Sequence, residues 1–252
     1  MPAAEHVMAT VVARLRAAGC VYAEDEAALL IAEAASPTAL AELVDRRVAG
    51  LPLEQVLGWA EFCGRRIAVD VGVFVPRRRT ELLVRRAVAL AGARPTVLDL
   101  CCGSGALAHA VASAVPPARL VAADIDPVAV RCARRNLANW SAQVFTGDLF
   151  APLPAELRGG VDLLLANVPY VPSAELGRLP AEARLHEAPW ALDGGPDGLA
   201  VVRRVASGAG DWLARDGHLL VEVSAGQAAA AIEIFRRAGL EPELAHDAEL
   251  DA

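Results

Sequence analysis

The spacing of apolar residues separates an N-terminal part of the chain from the rest. Between residues 4 and 50, apolar positions such as Val7, Val11 and Leu15 recur every three or four residues, which is the period of a helix that buries one face. This pattern predicts three helices, over residues 4–18, 24–35 and 38–49. We therefore expect a small helical bundle that forms a separate N-terminal domain.

From residue 96 onward, short apolar runs alternate with helical stretches. The runs contain no regular polar positions, so both faces of each strand must be covered. Strands are predicted at 96–100, 119–123, 143–145 and in the run that begins at residue 162, with helices at 80–91, 106–114, 128–137 and 227–238. Such repeats are typical of an α/β domain with a mostly parallel sheet. A last strand is expected at 240–245, without the antiparallel edge strand that would follow it.

A short linker joins the two parts. Residues 59–63 and 66–71 predict a β-hairpin around Gly64 and Arg65. The predicted domains are thus a helical domain (1–55), a hairpin linker (56–75) and an α/β domain (76–252). The next stretch, Arg77–Arg79, is the most basic point of the chain. A solvated face is the favoured interpretation of this triplet, and a site for an anion or an acidic partner is the alternative.

Composition limits the class of protein. Of the 252 residues, 55% are apolar and 4% aromatic, which indicates a core of Ala, Val and Leu. No run reaches the ~18 apolar residues of a membrane span, and charges stand where a signal peptide would be apolar. The five cysteines follow neither a disulfide nor a metal-site pattern. We expect a cytoplasmic protein with free thiols, no bound metal and no membrane contact.

Charge is spread unevenly along the chain. The net charge is −7, with 12 arginines against 11 acidic residues in 1–94, but 12 against 20 in 95–252. Proteins that bind nucleic acid usually present a basic face to the phosphates. The acidic α/β part therefore makes a nucleic-acid substrate unlikely on electrostatic grounds.

The residues after the strand at 162–166 are the first candidate site. Ligands of open α/β sheets bind beyond the carboxyl ends of the strands. There, Asn167 Oδ1 and the Val168 carbonyl can accept the two N–H bonds of a planar NH2 group, while Pro169 holds Val168 extended and Tyr170 covers the group. The alternative is a turn in which Asn167 caps the strand.

A second candidate site surrounds the loop after the strand at 96–100. Gly103 and Gly105 let the backbone approach a ligand, and Asp124, at the tip of the next strand, has the spacing of an acid that reaches a ribose diol. Gly103-x-Gly105-x-x-Ala108 also fits a dinucleotide fingerprint. A carboxylate at Asp99 would crowd a pyrophosphate, but it suits the cationic amino acid of S-adenosylmethionine. Asp148 is interpreted either as a contact to adenine, with Leu149 beside the ring, or as an aspartate that only forms a turn.

In this order, these residues resemble the class I S-adenosylmethionine-dependent methyltransferases, and more narrowly the HemK/PrmC family of protein-(glutamine-N5) methyltransferases. The resemblance extends over most of the chain. It includes Phe74-Val-Pro-Arg-Arg-Arg-Thr-Glu81, His186-Glu-Ala-Pro-Trp-Ala-Leu-Asp-Gly-Gly-Pro-Asp-Gly-Leu199, Gly217-His-Leu-Leu-Val-Glu-Val223 and Gly226-Gln227.

The resemblance implies a Rossmann-like fold and transfer of a methyl group from S-adenosylmethionine, leaving S-adenosylhomocysteine. The acceptor would be the glutamine of a Gly-Gly-Gln motif in a peptide-chain release factor, and the enzyme would act as a monomer. Asn167, Val168, Pro169 and Tyr170 would be catalytic. Cofactor binding would involve Asp99, Cys101, Gly103, Gly105, Asp124, Ile125, Asp148, Leu149 and Asn167.

The chain departs from the family at several positions. Cys101 stands for the first glycine of the cofactor loop, Val168 for a proline, and Arg78 and Arg79 for Pro-Asp. The alternatives are a methyltransferase for an exocyclic amino group of RNA or DNA, and a cofactor-binding protein without activity. No general base is evident, since His186 and Glu187 are expected to make only solvent or capping contacts.

Overall fold

The N-terminal helices form a unit with its own core. The structure is a computed structural model that describes residues 2–250. Its first four helices are α1 (Pro2–Ala17), α2 (Ala23–Glu33), α3 (Pro37–Val48) and α4 (Leu53–Leu57). Leu15, Leu30 and Val44 are buried between them. The three predicted helices are confirmed, and the short helix α4 adds to them.

A two-stranded hairpin follows the helices. Strands β1 (Trp59–Phe62) and β2 (Arg65–Ala68) pair antiparallel. The second strand is shorter than predicted, and the turn lies one residue earlier, at Cys63 and Gly64. Both turn residues have positive φ, 50° and 68°, as a two-residue hairpin turn that follows the twist of its strands requires.

The remainder is a five-stranded parallel sheet covered by helices on both faces. Its strands are β3 (Thr96–Leu100), β4 (Arg119–Asp124), β5 (Gln143–Thr146), β6 (Val161–Ala166) and β7 (Leu213–Val221), in the order β5-β4-β3-β6-β7. The helices are α5 (Glu81–Leu90), α6 (Ala106–Ala114), α7 (Pro127–Asn136), α8 (Ala181–His186), α9 (Pro189–Leu192), α10 (Ala200–Trp212) and α11 (Ala228–Arg237). The α/β fold is therefore confirmed.

Successive side chains along the strands point to opposite faces of the sheet and belong to two separate hydrophobic cores. Leu163 and Leu165 of β6 face one side, with residues of α5, α6 and α7. Leu164 faces the other side, with residues of α10 and α11. Strand order reverses between β3 and β6, and a crevice opens at such a point beyond the carboxyl ends of the strands.

The expected strand at 240–245 is wrong, because no strand follows β7 within residues 2–250. Pro242 has no N–H to give to a neighbouring strand. Ion pairs instead hold this segment against α5, from Arg86 to Glu243 (2.5 Å) and from Arg85 to Asp247 (3.1 Å).

None of the helices in the described range is long and apolar enough to cross a bilayer, and the five cysteines are free.

Candidate active site

A cleft of about 940 Å³ opens where β3, β4 and β6 end. Most of the predicted site residues line it, namely Cys101, Gly103, Asp124, Ile125, Asp148, Leu149, Asn167, Val168, Pro169 and Tyr170. The structure therefore brings the two candidate sites of the sequence together in one cavity. Asp99 and Gly105 lie behind its wall.

The loop from Cys101 to Gly105 has the left-handed backbone that a close approach to a ligand uses. φ is 53° at Cys101, 54° at Gly103 and 77° at Gly105. Cys101 thus adopts a left-handed conformation that glycine favours, at some steric cost. A Cβ at Gly105 would lie 3.2 Å from Ala133 of α7 and from Leu137 just after that helix, so this glycine allows the loop to pack on the helix.

Asp124 ties this loop to the end of β4. Its Oδ2 accepts a hydrogen bond from the Gly103 N–H (2.8 Å), and its Oδ1 accepts one from the Asp126 N–H (2.9 Å). Burial raises the pKa of Asp124, while the two backbone N–H groups oppose that rise. The carboxylate is therefore oriented at the cleft, with further lone pairs for a donor.

Asp148 and Asp99 differ in their exposure. Asp148 is exposed enough to pair with Arg204 of α10, with Nη2 and Oδ2 2.5 Å apart. Asp99 is 0% exposed; its Oδ2 accepts from the Ala108 N–H at 3.1 Å, and its Oδ1 has no partner in the described chain. Burial raises the pKa of Asp99 to about 7. An orphaned buried oxygen beneath the loop fits a site that receives a cation.

Asn167 is oriented by a contact from the turn before α5. Its Nδ2 donates to Thr80 Oγ1 at 3.4 Å, so its Oδ1 lies on the other side of the amide. Neither this oxygen nor the Val168 carbonyl accepts a hydrogen bond from residues 2–250. Both predicted acceptors thus stand free at the end of β6.

Tyr170 is held by two charged residues. Its hydroxyl donates to Glu222 Oε1 (3.0 Å) and accepts from Arg79 Nη2 (2.6 Å). Burial and the nearby Glu222 raise the pKa of Tyr170 to about 12. Arg79 remains 45% exposed, as a solvated face predicts, but it also pairs with an acidic residue, so the solvated-face interpretation of the arginine triplet is incomplete.

Arg77 pairs with Glu187, whose side chain is fully buried. Glu187 Oε1 accepts from Arg77 Nη2 (2.6 Å) and from the Val75 N–H (3.2 Å). Burial raises the pKa of Glu187, and Arg77 works against the rise. The expectation of solvent or capping contacts for Glu187 is wrong because its partners lie 110 residues or more away in sequence.

Sequence reasoning missed Gln227, which fixes the backbone at Tyr170. Its Nε2 donates to the carbonyls of Tyr170 (2.8 Å) and Asp197 (3.1 Å), and its Oε1 accepts from the Ser224 N–H. Gly198 packs on the same carbonyl, since a Cβ there would lie 2.2 Å from Tyr170 O. The Ser-x-x-Gln capping box is the one local signal that singles out Gln227.

The charges that line the cleft are mostly negative. Among residues 2–250, seven are carboxylates and three are arginines: Glu54, Asp124, Asp126, Asp148, Glu182, Glu187, Asp193, Arg77, Arg79 and Arg204. Each of these arginines is already paired with a carboxylate. Such a surface repels a phosphate backbone and accepts a neutral amide or amine.

Comparisons with known proteins agree with this arrangement. The family model "Methyltransferase small domain" matches residues 66–215. The "Release factor glutamine methyltransferase" of Geobacter sulfurreducens is 40% identical over 78% of this chain and 69% of its own length. That of Mycolicibacterium smegmatis is 40% identical over 85% and 78%.

Another relative is named for a different substrate. The "4-amino-L-phenylalanine/4-methylamino-L-phenylalanine methyltransferase" of Streptomyces pristinaespiralis is 37% identical, over 78% of this chain and 69% of its own length. Similar chains therefore include one named for a small aryl amine.

Proposed function

The chain belongs to the family of S-adenosylmethionine-dependent methyltransferases that includes the release factor glutamine methyltransferases, and we propose that it methylates the side-chain amide nitrogen of a glutamine in a peptide-chain release factor. One observation carries the proposal. Two free acceptors, Asn167 Oδ1 and the Val168 carbonyl, stand beside Tyr170 at the end of β6. They match the two N–H bonds of a primary amide.

An amide nitrogen is a weak nucleophile because its lone pair is delocalised into the carbonyl. When bound, S-adenosylmethionine supplies an electrophilic methyl group. Asn167 and Val168 accept the two N–H bonds, which returns electron density to the nitrogen and fixes its direction, and Tyr170 covers the plane. Such positioning lowers the activation free energy by up to ~7–11 kcal/mol. The surplus proton leaves to water, since the methylated nitrogen is acidic enough to need no dedicated base.

The residues of the other half of the cleft fit the cofactor. Gly103 and Gly105 let the loop backbone approach its amino-acid end beside Cys101, above the unpaired Asp99 Oδ1. Asp124 would bind the ribose hydroxyls. The remaining contacts, to adenine, would come from Ile125, Asp148 and Leu149.

The N-terminal helical domain (1–55) and the linker (56–75) would help the α/β domain (76–252) to recognise the release factor. Arg47 of α3 pairs with Glu182 of α8 (2.7 Å), and Gln55 of α4 donates to the carbonyl of His186 (3.2 Å). The helical part therefore contacts the segment that lines the cleft. The enzyme would act as a monomer in the cytoplasm, where release factors work.

A methyl-transfer assay with labelled S-adenosylmethionine tests the proposal. We expect label in a release factor with its Gly-Gly-Gln motif and none in the same factor with that glutamine changed to alanine. Bulk RNA and 4-amino-L-phenylalanine serve as the competing acceptors, the second because of the relative named above. Label in either of these, with none in the release factor, would contradict the proposal.

A further inference from the structure

We propose that Arg79 and Glu222 are positioning residues that fix the ring of Tyr170, so that Arg79 influences methyl transfer through the Tyr170 hydroxyl. This inference rests on the proposed function, in which the Tyr170 ring covers the acceptor amide.

The three side chains form a closed set of hydrogen bonds. Arg79 Nη2 donates to the Tyr170 hydroxyl (2.6 Å), and Arg79 Nε donates to Glu222 Oε1 (3.2 Å). The hydroxyl in turn donates to the same Oε1 (3.0 Å). A phenol that both donates and accepts in such a set has one preferred position, because moving its oxygen breaks two bonds.

The three residues come from separate parts of the fold. Glu222 directly follows β7, Tyr170 lies beyond β6, and Arg79 belongs to the turn before α5. The Glu222 side chain is only 13% exposed, and its Oε2 is buried without a partner in the described chain. Arg79 supplies the cation that pairs with this carboxylate, and loss of Arg79 would leave the carboxylate uncompensated.

The turn that carries Arg79 also carries Thr80, which accepts from Asn167 Nδ2. Neighbouring residues of one turn thus orient two groups of the acceptor site. Direct binding of substrate by Arg79 is the competing explanation, since its side chain is 45% exposed and lines the cleft. The two explanations differ in whether the Tyr170 hydroxyl is needed for the effect of Arg79.

A double-variant cycle separates them. We expect Arg79→Met and Tyr170→Phe each to lower kcat by about tenfold, the scale of a small misplacement of reacting groups, with little change in KM for the release factor. The double variant should be no slower than the slower single variant. Arg79→Lys, which keeps a donor, should recover part of the rate.

Arg78→Met is the matched control. Arg78 neighbours Arg79 in the same turn and is exposed, and its side chain makes no hydrogen bond or ion pair with residues 2–250. We expect its kcat and KM to equal those of the unmodified enzyme. Thermal unfolding and cofactor affinity, measured for every variant, identify any that is misfolded.

A second readout needs no substrate. The chain has two tyrosines, so Tyr22→Phe leaves Tyr170 as the single tyrosine. In protein with 13Cζ-labelled tyrosine, Arg79→Met and Glu222→Gln should each shift this signal, and Arg78→Met should not. If the unmodified enzyme fails to methylate a release factor, the proposed function fails, while the signal still tests the contact.

Several results would overturn the inference. Rate losses that multiply in the double variant would show that Arg79 acts independently of the hydroxyl. A rise in KM alone for Arg79→Met would assign it to substrate binding. A Tyr170 signal that is the same with and without Arg79 would remove the contact itself.

Discussion

The two ends of the cleft are built in different ways. At the cofactor end, defined by loop 101–105 and Asp124, the hydrogen bonds join residues 2 to 32 positions apart. At the acceptor end, defined by Asn167–Tyr170, the partners lie 52 to 91 positions away. The cofactor end is therefore built from segments that are close in sequence. The acceptor end depends on side chains that are distant in sequence and meet only in the folded chain.

The sharpest test of this comparison is Asn167→Ala. It removes one acceptor of the amide without touching loop 101–105, so kcat should fall by about 10²–10³-fold, as for loss of a preorganised hydrogen-bonding group. Cofactor affinity, measured by calorimetry, should stay nearly unchanged. Asn139→Ala, at an exposed position outside the cleft, is the control. Equal losses of rate and cofactor affinity would show that the two ends are not separable.

Asp124→Ala should act in the opposite sense. It removes a charged acceptor and releases the Gly103 N–H, so the cofactor Kd should rise by about 10- to 100-fold, the range for hydrogen bonds to a charged group. With saturating cofactor, kcat should recover. Asp216→Ala, on the exposed surface of β7, controls for charge. A low kcat at saturation would place Asp124 in the chemical step.

Gln227→Ala tests the long-range support of the acceptor end. It leaves the carbonyls of Tyr170 and Asp197 without these donors, and kcat should fall by about tenfold as the loop shifts. Ser224→Ala, which removes the capping contact but leaves both carbonyl contacts, separates helix stability from loop position. A kcat unchanged by Gln227→Ala would mean that Gly198 packing alone holds the loop.

Cys101→Gly should have the smallest effect. Cys101 has φ of 53°, and glycine would remove the steric cost of this left-handed backbone. Glycine also has more freedom in the unfolded chain, which offsets part of that effect. The free energy of unfolding should therefore rise by less than about 1 kcal/mol. Urea unfolding measures this change. A marked loss of cofactor affinity would instead reveal a contact made by the thiol.

The same contrast explains what the sequence could predict. The spacing from Gly103 to Asp124 and the apolar run before Asn167 lie within single strand–loop–helix units, so local pattern was enough. Glu187, Glu222 and Gln227 could not be assigned, because each acts on a residue from a distant segment. The strand expected at 240–245 fails for a related reason, since ion pairs to α5 decide where that segment lies.

The buried Asp99 carboxyl links folding to proton concentration. Its pKa is about 7 in the folded protein, against an ordinary value of 3.8, so its contribution to the free energy of unfolding is fully present below pH 3.8 and is lost as pH rises through 7. A cation bound above it favours the charged carboxylate. Cofactor binding near neutral pH would therefore expel a proton, and the affinity of this enzyme for its methyl donor would increase as the pH rises towards 7 and then level off.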